Sequence, residues 1–293
     1  MRVLVTGGAS GLGAALVERF RARGDDVLSC DVAPPSDRHL DVRSDDDWAA
    51  ARDWVAAHWG GLDVLVNNAG VAGGGRVDVA TLAEWEWITS VNLFGVVRGT
   101  RIFVPMLKQQ RSGHIVNVAS LAGLVHPAGM GSYNAVKAGV VAFTETIGHE
   151  LASHGIRASV VCPSYFRTNL MASMQGADAA LGAVVSRLVE ESPTSADDIA
   201  AAVLEGMERG DEVILPDQAA RDAWALKQHD RAAYDAVMRA QAEKLEQLGS
   251  RAPARSATRT PSTSRRSGPG WRRSASGSSA TSTCGSSRGV RPT

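Results

Sequence analysis

Residues 6–13 have the sequence TGGASGLG, a glycine-rich turn between an apolar run and a helical pattern. The run from Arg2 to Thr6 has the length of a buried strand, and apolar residues recur at helical spacing from 11 to 23. Glycine lets the backbone turn sharply and approach a phosphate closely. The N-terminus of a helix adds free N–H groups and a positive dipole end. We therefore expect a nucleotide pyrophosphate to bind here, at Gly7, Ser10, Gly11, Leu12 and Gly13.

An acidic residue, Asp31, ends the next predicted strand, about twenty residues after the turn. A carboxylate at this position accepts hydrogen bonds from the adenosine ribose hydroxyls and repels a 2′-phosphate. No Arg or Lys lies in the turn or directly after Asp31 to receive such a phosphate. The sequence therefore favours NAD over NADP. The alternative is that Asp31 is an ordinary solvated loop acid.

Short apolar runs alternate with helical patterns along most of the chain. The predicted strands are 2–6, 26–31, 39–42, 62–66, 114–118, 156–162 and 212–215. The predicted helices are 11–23, 45–59, 81–110 with an interruption near Asn92, 131–154, 197–209 and one or two within 216–248. This alternation predicts an α/β fold with a doubly wound, Rossmann-type parallel sheet of about seven strands and helices on both faces.

The charge of the 293-residue chain is unevenly distributed. Lys plus Arg and Asp plus Glu both total 31, but nine arginines and no acidic residue lie from Arg251 onward. Removing those nine leaves 22 basic residues against 31 acidic ones in the rest. A body of that sign is a poor match for a polyanion. We expect one domain, 1–249, and no nucleic-acid partner for it.

Residues 250–293 are rich in Ser, Arg, Thr, Gly, Ala and Pro. Such a composition buries too little apolar surface to offset the entropy of ordering, so the sequence predicts a disordered tail. Three interpretations stay open: a basic arm that tethers the protein to a polyanion, an extension without function, and the product of a shifted reading frame. Conservation of the reading frame in close relatives would exclude the last.

Targeting and redox features are sparse. No apolar run reaches the ~18 residues of a membrane span, and the first residues enter a strand directly, which leaves no room for a signal peptide. Cys30, Cys162 and Cys284 are isolated, which favours a reducing compartment. The histidines have no metal-ligand spacing. We expect a cytoplasmic protein without membrane association, disulfide framework or metal.

Several motifs occur in the order that is typical of the short-chain dehydrogenase/reductase family. The glycine spacing in 6–13 is followed by Asp41-Val42, Asn67-Asn68-Ala69-Gly70, Asn92, Ser120, Tyr133-x-x-x-Lys137, and Pro163 with Thr168. Over about residues 1–215 the chain therefore resembles this family. One position departs from the pattern, because Ser164 stands where the family has glycine after the proline.

The resemblance implies roles for these residues. Asp41 and Val42 would contact the adenine, Asn68, Ala69 and Gly70 would line the cofactor site, and Pro163 and Thr168 would lie at the nicotinamide. Asn92, Ser120, Tyr133 and Lys137 would form the catalytic group, in which Tyr133 and Lys137 also bind the nicotinamide ribose.

The chemistry is consistent with these residue types. A Tyr with a pKa of ~10 is too weakly acidic to act as a base at neutral pH, and a neighbouring cation lowers that pKa. Lys137, one helical turn after Tyr133, can be that cation. We expect Ser120 to hold the substrate oxygen and Asn92 to interrupt its helix and hold a water in a proton relay.

The expected substrate is a small or medium apolar alcohol or ketone. In this family the pocket is lined by the residues after the serine and after the threonine, here Leu121, Ala122, His126, Met130, Leu170, Met171 and Met174. His126 is more plausibly a surface residue, and 169–195 has the small-residue composition of a mobile lid. The family pairs helices equivalent to 81–110 and 131–154, so we expect a homodimer or homotetramer.

The leading hypothesis is an NAD-dependent oxidoreductase that moves a hydride between the nicotinamide and a secondary alcohol or ketone. The alternative is a nucleotide-binding regulatory protein on the same fold that lacks catalysis. Such relatives usually lack the tyrosine or the lysine, so the presence of Tyr133 and Lys137 argues for the enzyme.

Overall fold

A computed structural model describes residues 1–251, and the predicted tail 250–293 lies almost entirely outside the described residues. The strands are β1 (Arg2–Thr6), β2 (Asp26–Asp31), β3 (Arg38–His39), β4 (Val64–Asn67), β5 (Gly113–Val118), β6 (Ile156–Val161) and β7 (Val213–Ile214). The helices are α1 (Gly11–Ala22), α2 (Asp45–Trp59), α3 (Leu82–Asn92), α4 (Phe94–Gln110), α5 (Ala122–Val125), α6 (Gly131–Leu151), α7 (Ala179–Glu190), α8 (Ala196–Arg209), α9 (Gln218–His229) and α10 (Arg231–Arg251).

The strands form one parallel sheet in the order β3-β2-β1-β4-β5-β6-β7. The chain builds outward from β1 to β3, returns to place β4 beside β1, and continues to the other edge. The predicted doubly wound α/β sheet is confirmed. The direction of strand order reverses between β1 and β4, where such folds open a crevice for ligands.

Alternate residues of each central strand supply the two cores. Val3 and Val5 of β1 belong to the core beneath α1 and α8, whereas Leu4 belongs to the core with α2 and α4. Because successive side chains of a strand point to opposite faces, a continuous apolar run packs helices against both faces. This is why the strands read as unbroken apolar runs.

Helix α2 begins where its sequence predicts. The Ser44 hydroxyl accepts a hydrogen bond from the Asp47 backbone N–H, and three aspartates occupy the first turn. Both features stabilise a helix N-terminus, by capping an unpaired N–H and by placing negative charge at the positive dipole end.

Strands β3 and β4 differ most from the sequence prediction. Strand β3 is Arg38–His39 rather than 39–42, because the Asp41 N–H leaves the sheet to bond the Asp47 carboxylate. Strand β4 begins at Val64 rather than at 62, because both backbone groups of Leu62 pair with the side-chain amide of Gln110. In both cases a helix side chain takes backbone bonds that a longer strand would make.

Most of the remaining strands and helices occur where the sequence predicts them, although several of their bounds differ. The long helical stretch divides at Leu93 into α3 and α4, and the segment 216–248 forms two helices, α9 and α10. The predicted helix 131–154 is α6 followed by a short 3₁₀ turn. The predicted lid region contains a helix, α7, that we did not predict. Within residues 1–251, no helix is both long and apolar enough to cross a membrane.

One buried histidine makes the fold sensitive to acid. His114 on β5 is buried, and its Nε2 lies 2.8 Å from the Ser159 hydroxyl, which donates to the Asp211 carbonyl. The hydroxyl hydrogen is thus used, so His114 donates from Nε2. Burial, with a smaller effect of Arg157, lowers the pKa of His114 from 6.5 to about 4.

We expect stability to decrease as the pH falls through this range. The unfolded chain takes up a proton near pH 6.5 and the folded chain only near pH 4, so acid favours unfolding between these values. The full loss is about 3 kcal/mol. Urea unfolding from pH 7.5 to 4.5 measures it, and His114→Gln, which keeps an N–H donor, should flatten the slope. The exposed His149→Gln is the control; an unchanged slope in His114→Gln would contradict the assignment.

Candidate active site

The glycine turn is tied to the end of β4. The Thr6 hydroxyl oxygen accepts from the Asn68 and Ala69 N–H groups, both at 3.1 Å. In return the Asn68 side-chain amide donates to the Thr6 carbonyl at 2.9 Å and to the Gly7 carbonyl at 3.3 Å. These bonds hold the first turn residues against the segment 68–70.

The turn leaves no room for side chains. Gly7 has a φ of +68°, in the left-handed region that favours glycine, and a Cβ on Gly13 would overlap the Gly7 carbonyl oxygen. Ser10 is the N-cap of α1 but makes no side-chain cap bond, so the N–H groups of the first turn stay available to a ligand. A tight, backbone-lined cradle at a helix N-terminus fits a dinucleotide pyrophosphate.

Asp31 holds the turn from the side. One carboxylate oxygen accepts from the Ala9 N–H and the other from the Ala33 N–H, each at 3.0 Å. Asp31 is therefore attached to the glycine turn and is not a free loop acid. Its negative charge lies beside the turn, where it acts on whatever group follows the pyrophosphate.

The two predicted adenine contacts, Asp41 and Val42, lie in different surroundings. The Asp41 carboxylate forms an ion pair with Arg43 at 2.6 Å, and bonding to Arg43 lowers the pKa of that carboxyl. Val42 is a core residue: its carbonyl accepts from the Trp48 indole, and Val42 packs against Gly95. An adenine contact by this pair stays a prediction.

Three of the four predicted catalytic residues meet at the carboxyl end of β5. Ser120 follows that strand, and α6 presents Tyr133 and Lys137 one turn apart. Tyr133 is 8% exposed and Lys137 is 4% exposed. The Lys137 ammonium donates to the Val118 carbonyl at 2.9 Å and lies 5.8 Å from the centre of the Tyr133 ring.

The pKa values in this group depend mainly on burial. Burial raises the pKa of Tyr133 to about 12, and an interaction with the Ser120 side chain only partly opposes it. Burial lowers the pKa of Lys137 to about 8, because an ammonium loses hydration there. We expected Lys137 to lower the pKa of Tyr133; in this structure the lowering comes from Ser120, and burial outweighs it. A further positive charge is needed beside the phenol to make it acidic at neutral pH.

Asn92, the fourth predicted catalytic residue, ends α3 as expected, and the break before α4 follows it. Its side-chain oxygen accepts from the Val71 N–H at 2.8 Å, and its side-chain nitrogen donates to the Val71 carbonyl at 2.9 Å. The buried side chain thus fixes the chain just after the Asn68-Ala69-Gly70 segment. Whether Asn92 also holds a water stays a prediction.

Ser164, where the family pattern has glycine, is accommodated by a residue that the sequence did not single out. Its hydroxyl donates to the Asp217 carboxylate at 2.6 Å, and its N–H donates to the other oxygen at 2.9 Å. Asp217 also caps α9, accepting from the Ala220 N–H at 2.8 Å. The serine side chain therefore turns toward the C-terminal helices.

Pro163 and Thr168, the other predicted nicotinamide-side residues, each lie against another segment of the crevice. The Pro163 carbonyl accepts from the Leu121 N–H at 2.9 Å, which joins the segments after β6 and β5. A Cβ on Gly11 would lie 2.6 Å from the Thr168 hydroxyl oxygen, so Thr168 reaches the glycine turn. Both ends of the expected cofactor site are thus within one crevice.

The residues around Tyr133 on the expected substrate side are mostly apolar. The Tyr165 hydroxyl lies 3.7 Å from the Met130 sulfur, and Met130, Tyr133 and partly buried Met171 belong to one apolar cluster. His126 is exposed, and its ring contacts the Gly123 carbonyl at 3.1 Å and the Lys227 ammonium at 2.8 Å. His126 therefore attaches α5 to α9 rather than lining the pocket.

The sequence also did not predict a series of hydrogen bonds between buried polar side chains behind the site. The Asn67 side-chain amide donates to the Thr100 hydroxyl and to the Asn117 side chain, which donates to the Thr144 hydroxyl. This series joins β4 and β5 to α4 and α6, the helix that carries Tyr133 and Lys137. Polar residues inside apolar strands were the only sequence signal for it.

Comparison with known proteins identifies the family. Residues 1–179 match the family model described as short chain dehydrogenase. The chain belongs to this family and is an oxidoreductase of it. It is also similar to a 3-alpha-(or 20-beta)-hydroxysteroid dehydrogenase of Mycobacterium tuberculosis strain H37Rv, with 35% identity over 178 residues, 56% of this chain and 68% of the relative.

Solved structures agree with the fold. A short chain dehydrogenase/reductase from Burkholderia phymatum in complex with NAD has 28% identity and a TM-score of 0.72, covering 79% of this chain and 94% of its own. A short chain dehydrogenase from Burkholderia cenocepacia in complex with NADP has 26% identity and a TM-score of 0.69, covering 81% and 96%.

We expect removal of the Ser164 hydroxyl to affect stability more than cofactor affinity. Ser164→Ala deletes the bond to Asp217, and a lost hydrogen bond to a charged group costs about 1.5–3 kcal/mol when its partner stays buried. Urea unfolding and cofactor titration measure the two effects. Ser153→Ala, an exposed serine, is the control. A tenfold loss of cofactor affinity without loss of stability would instead place Ser164 in the cofactor site.

Proposed function

We propose that the protein is an NAD-dependent oxidoreductase that transfers a hydride between the nicotinamide and a secondary alcohol or ketone. One observation carries this proposal: Tyr133, Lys137 and Ser120 are brought together in a buried position beside a glycine cradle that fits a dinucleotide. The family comparison supports the same reaction class.

In this mechanism, side chains of the protein bind the substrate oxygen and transfer its proton. The Ser120 hydroxyl holds the substrate oxygen, and Tyr133 takes the hydroxyl proton during oxidation and returns it during reduction. An oxidised nicotinamide held in the crevice would supply the hydride acceptor and a positive charge. Burial of the group excludes water that would compete for the substrate oxygen.

Lys137 helps Tyr133 to act as a base. The phenol has a pKa of about 12 in the folded polypeptide, so its anion requires positive charge nearby. Lys137 lies 5.8 Å from the ring and is fixed by the Val118 carbonyl, which directs the ammonium to this place. Together with the charge of the oxidised nicotinamide, it favours the phenolate in the oxidative direction.

Asp31 supports NAD as the cofactor. Its carboxylate is fixed beside the glycine turn by the Ala9 and Ala33 N–H groups. A fixed negative charge there accepts the ribose hydroxyls of NAD and repels the 2′-phosphate of NADP. The solved relatives include complexes with either cofactor, so this choice rests on Asp31.

The substrate proposed here is apolar. Met130, Met171 and Tyr165 lie beside Tyr133 and offer apolar contact. A relative that is named a hydroxysteroid dehydrogenase is consistent with a secondary alcohol on an apolar skeleton. Met side chains adapt to irregular shapes, which suits substrates of varied outline.

Tyr133→Phe should abolish turnover and leave cofactor binding intact. The substitution removes only the hydroxyl that exchanges the proton, and general acid–base catalysis contributes about 10²–10⁴-fold. NADH absorbance with a panel of secondary alcohols measures turnover, and NADH fluorescence measures binding. Tyr234→Phe, a buried tyrosine of α10, is the matched control. Turnover of Tyr133→Phe within about tenfold of the wild type would exclude this mechanism, and an inactive wild type that binds NADH would favour a regulatory protein.

Asp31→Asn should change the cofactor preference toward NADP. The amide keeps a side-chain oxygen for the Ala9 N–H and removes the charge that repels a phosphate. A hydrogen bond to a charged group contributes about 1.5–3 kcal/mol, so kcat/KM for NAD should fall about 10–100-fold while that for NADP rises. Asp26→Asn, an exposed acid at the other end of β2, should change neither value. A wild type that prefers NADP would overturn the assignment of Asp31.

A further inference from the structure

The last two helices of the described chain return to the catalytic crevice. Helices α9 and α10 follow β7 and lie beyond residues 1–179, the part that matches the family model. They contact the segment between Ser120 and Tyr133 at two places. Each contact involves residues that have no role in the proposed hydride transfer.

The first contact attaches α9 to the start of that segment. The Lys227 ammonium donates to the Leu124 carbonyl and lies 2.8 Å from the His126 ring nitrogen Nδ1. The Trp224 and Tyr234 rings lie 5.9 Å and 5.8 Å from the same ammonium. A cation held among two rings, a carbonyl and an imidazole fixes α9 against α5.

The second contact places Leu245 of α10 at the end of the segment. Leu245 is 6% exposed and belongs to the apolar cluster that contains Met130, Tyr133 and Leu181. A Cβ on Gly129 would lie 2.7 Å from Leu245 Cδ1, so the absence of a side chain at Gly129 makes room for the leucine. Gly129 also has a φ of +80°, which favours glycine.

An ion-pair cluster fixes α10 in this position. Arg76 pairs with Asp178 at 2.8 Å and with Glu246, the residue after Leu245, at 3.1 Å. The Asp178 side chain is only 1% exposed and also caps α7 by accepting from the Leu181 N–H. One guanidinium thus joins Asp178, the N-cap residue of α7, to Glu246 of α10, and Leu181 of α7 and Leu245 of α10 form an apolar wall at Gly129.

Met130 connects this wall to the substrate side. Its neighbour Gly129 is covered by Leu245, and its sulfur lies 3.7 Å from the Tyr165 hydroxyl, which is on the pocket side. Met130 is buried in the same apolar cluster as Leu245, and an unbranched methionine side chain adapts readily to a change in the space around it.

We propose that Leu245 is a positioning residue which, through Met130, sets the longest apolar chain that the substrate pocket accepts. The proposal rests on the proposed function for the identity of the pocket. It assigns to the C-terminal helices a role in substrate selection rather than in chemistry. Leu245→Ala removes three carbon atoms from the wall, so Met130 can move back and extend the pocket.

The test measures ligand affinity separately from turnover. Calorimetry of the full-length protein with oxidised cofactor and 2-butanone, 2-hexanone or 2-octanone gives dissociation constants in a mixture that does not react. For Leu245→Ala we expect unchanged affinity for 2-butanone and, for the longer ketones, tighter binding by about fourfold per additional methylene that enters the new space. Leu245→Met should restore the wild-type profile.

Two control variants distinguish a change in substrate selection from a general loss of structure. Leu248→Ala, the same substitution at an exposed position of α10, should leave all three affinities unchanged. Leu245→Val, a smaller truncation, should shift the profile in the same direction and keeps the proposal testable if Leu245→Ala does not fold. Circular dichroism and cofactor affinity establish that each variant is folded.

The outcomes distinguish this inference from the proposed function. Affinities that change equally for all three ketones, or not at all, in a folded Leu245 variant would overturn the inference, as would a wild type that binds none of them. Turnover of the corresponding alcohols by the wild type is measured in parallel. A wild type without turnover whose variants still show the length-dependent change would overturn the proposed hydride transfer and support the inference.

Discussion

The reciprocal hydrogen bonds between Thr6 and Asn68 join the two strands at which the sheet changes direction. Thr6 ends β1, and Asn68 follows β4, so these bonds fix the mouth of the crevice at their carboxyl ends. The glycine turn, the segment held by Asn92, and the position of Asp31 beside Ala9 all depend on this connection. The cofactor cradle is therefore a consequence of sheet topology as well as of glycine content.

Burial has opposite consequences for the two groups that matter most. It gives Tyr133 and Lys137 fixed positions away from bulk water, and it disfavours the charged form of each. The folded polypeptide alone favours the neutral phenol. In the proposed mechanism, positive charge from an oxidised nicotinamide would oppose that effect and so couple proton transfer to cofactor binding.

The C-terminal helices also contact the loops that form the crevice. The Ser164–Asp217 pair, the Lys227 cluster and the Arg76 ion pairs each connect α7, α9 or α10 to loops at the crevice. Apart from Ser164, none of these residues lies at a position of the family motifs. Each contact attaches a C-terminal helix or α7 to a loop of the crevice.

The sequence alone determined the doubly wound sheet, most helices and the motif residues, because hydrophobic period, glycine turns and helix caps are local in the chain. It did not determine where β3 ends and where β4 begins, since the Asp47 carboxylate and the Gln110 amide take the backbone bonds there. Nor could it place Asp217, Leu245 or the raised pKa of Tyr133. Burial and contacts between residues far apart in the chain exist only after folding, so only the tertiary structure decided them.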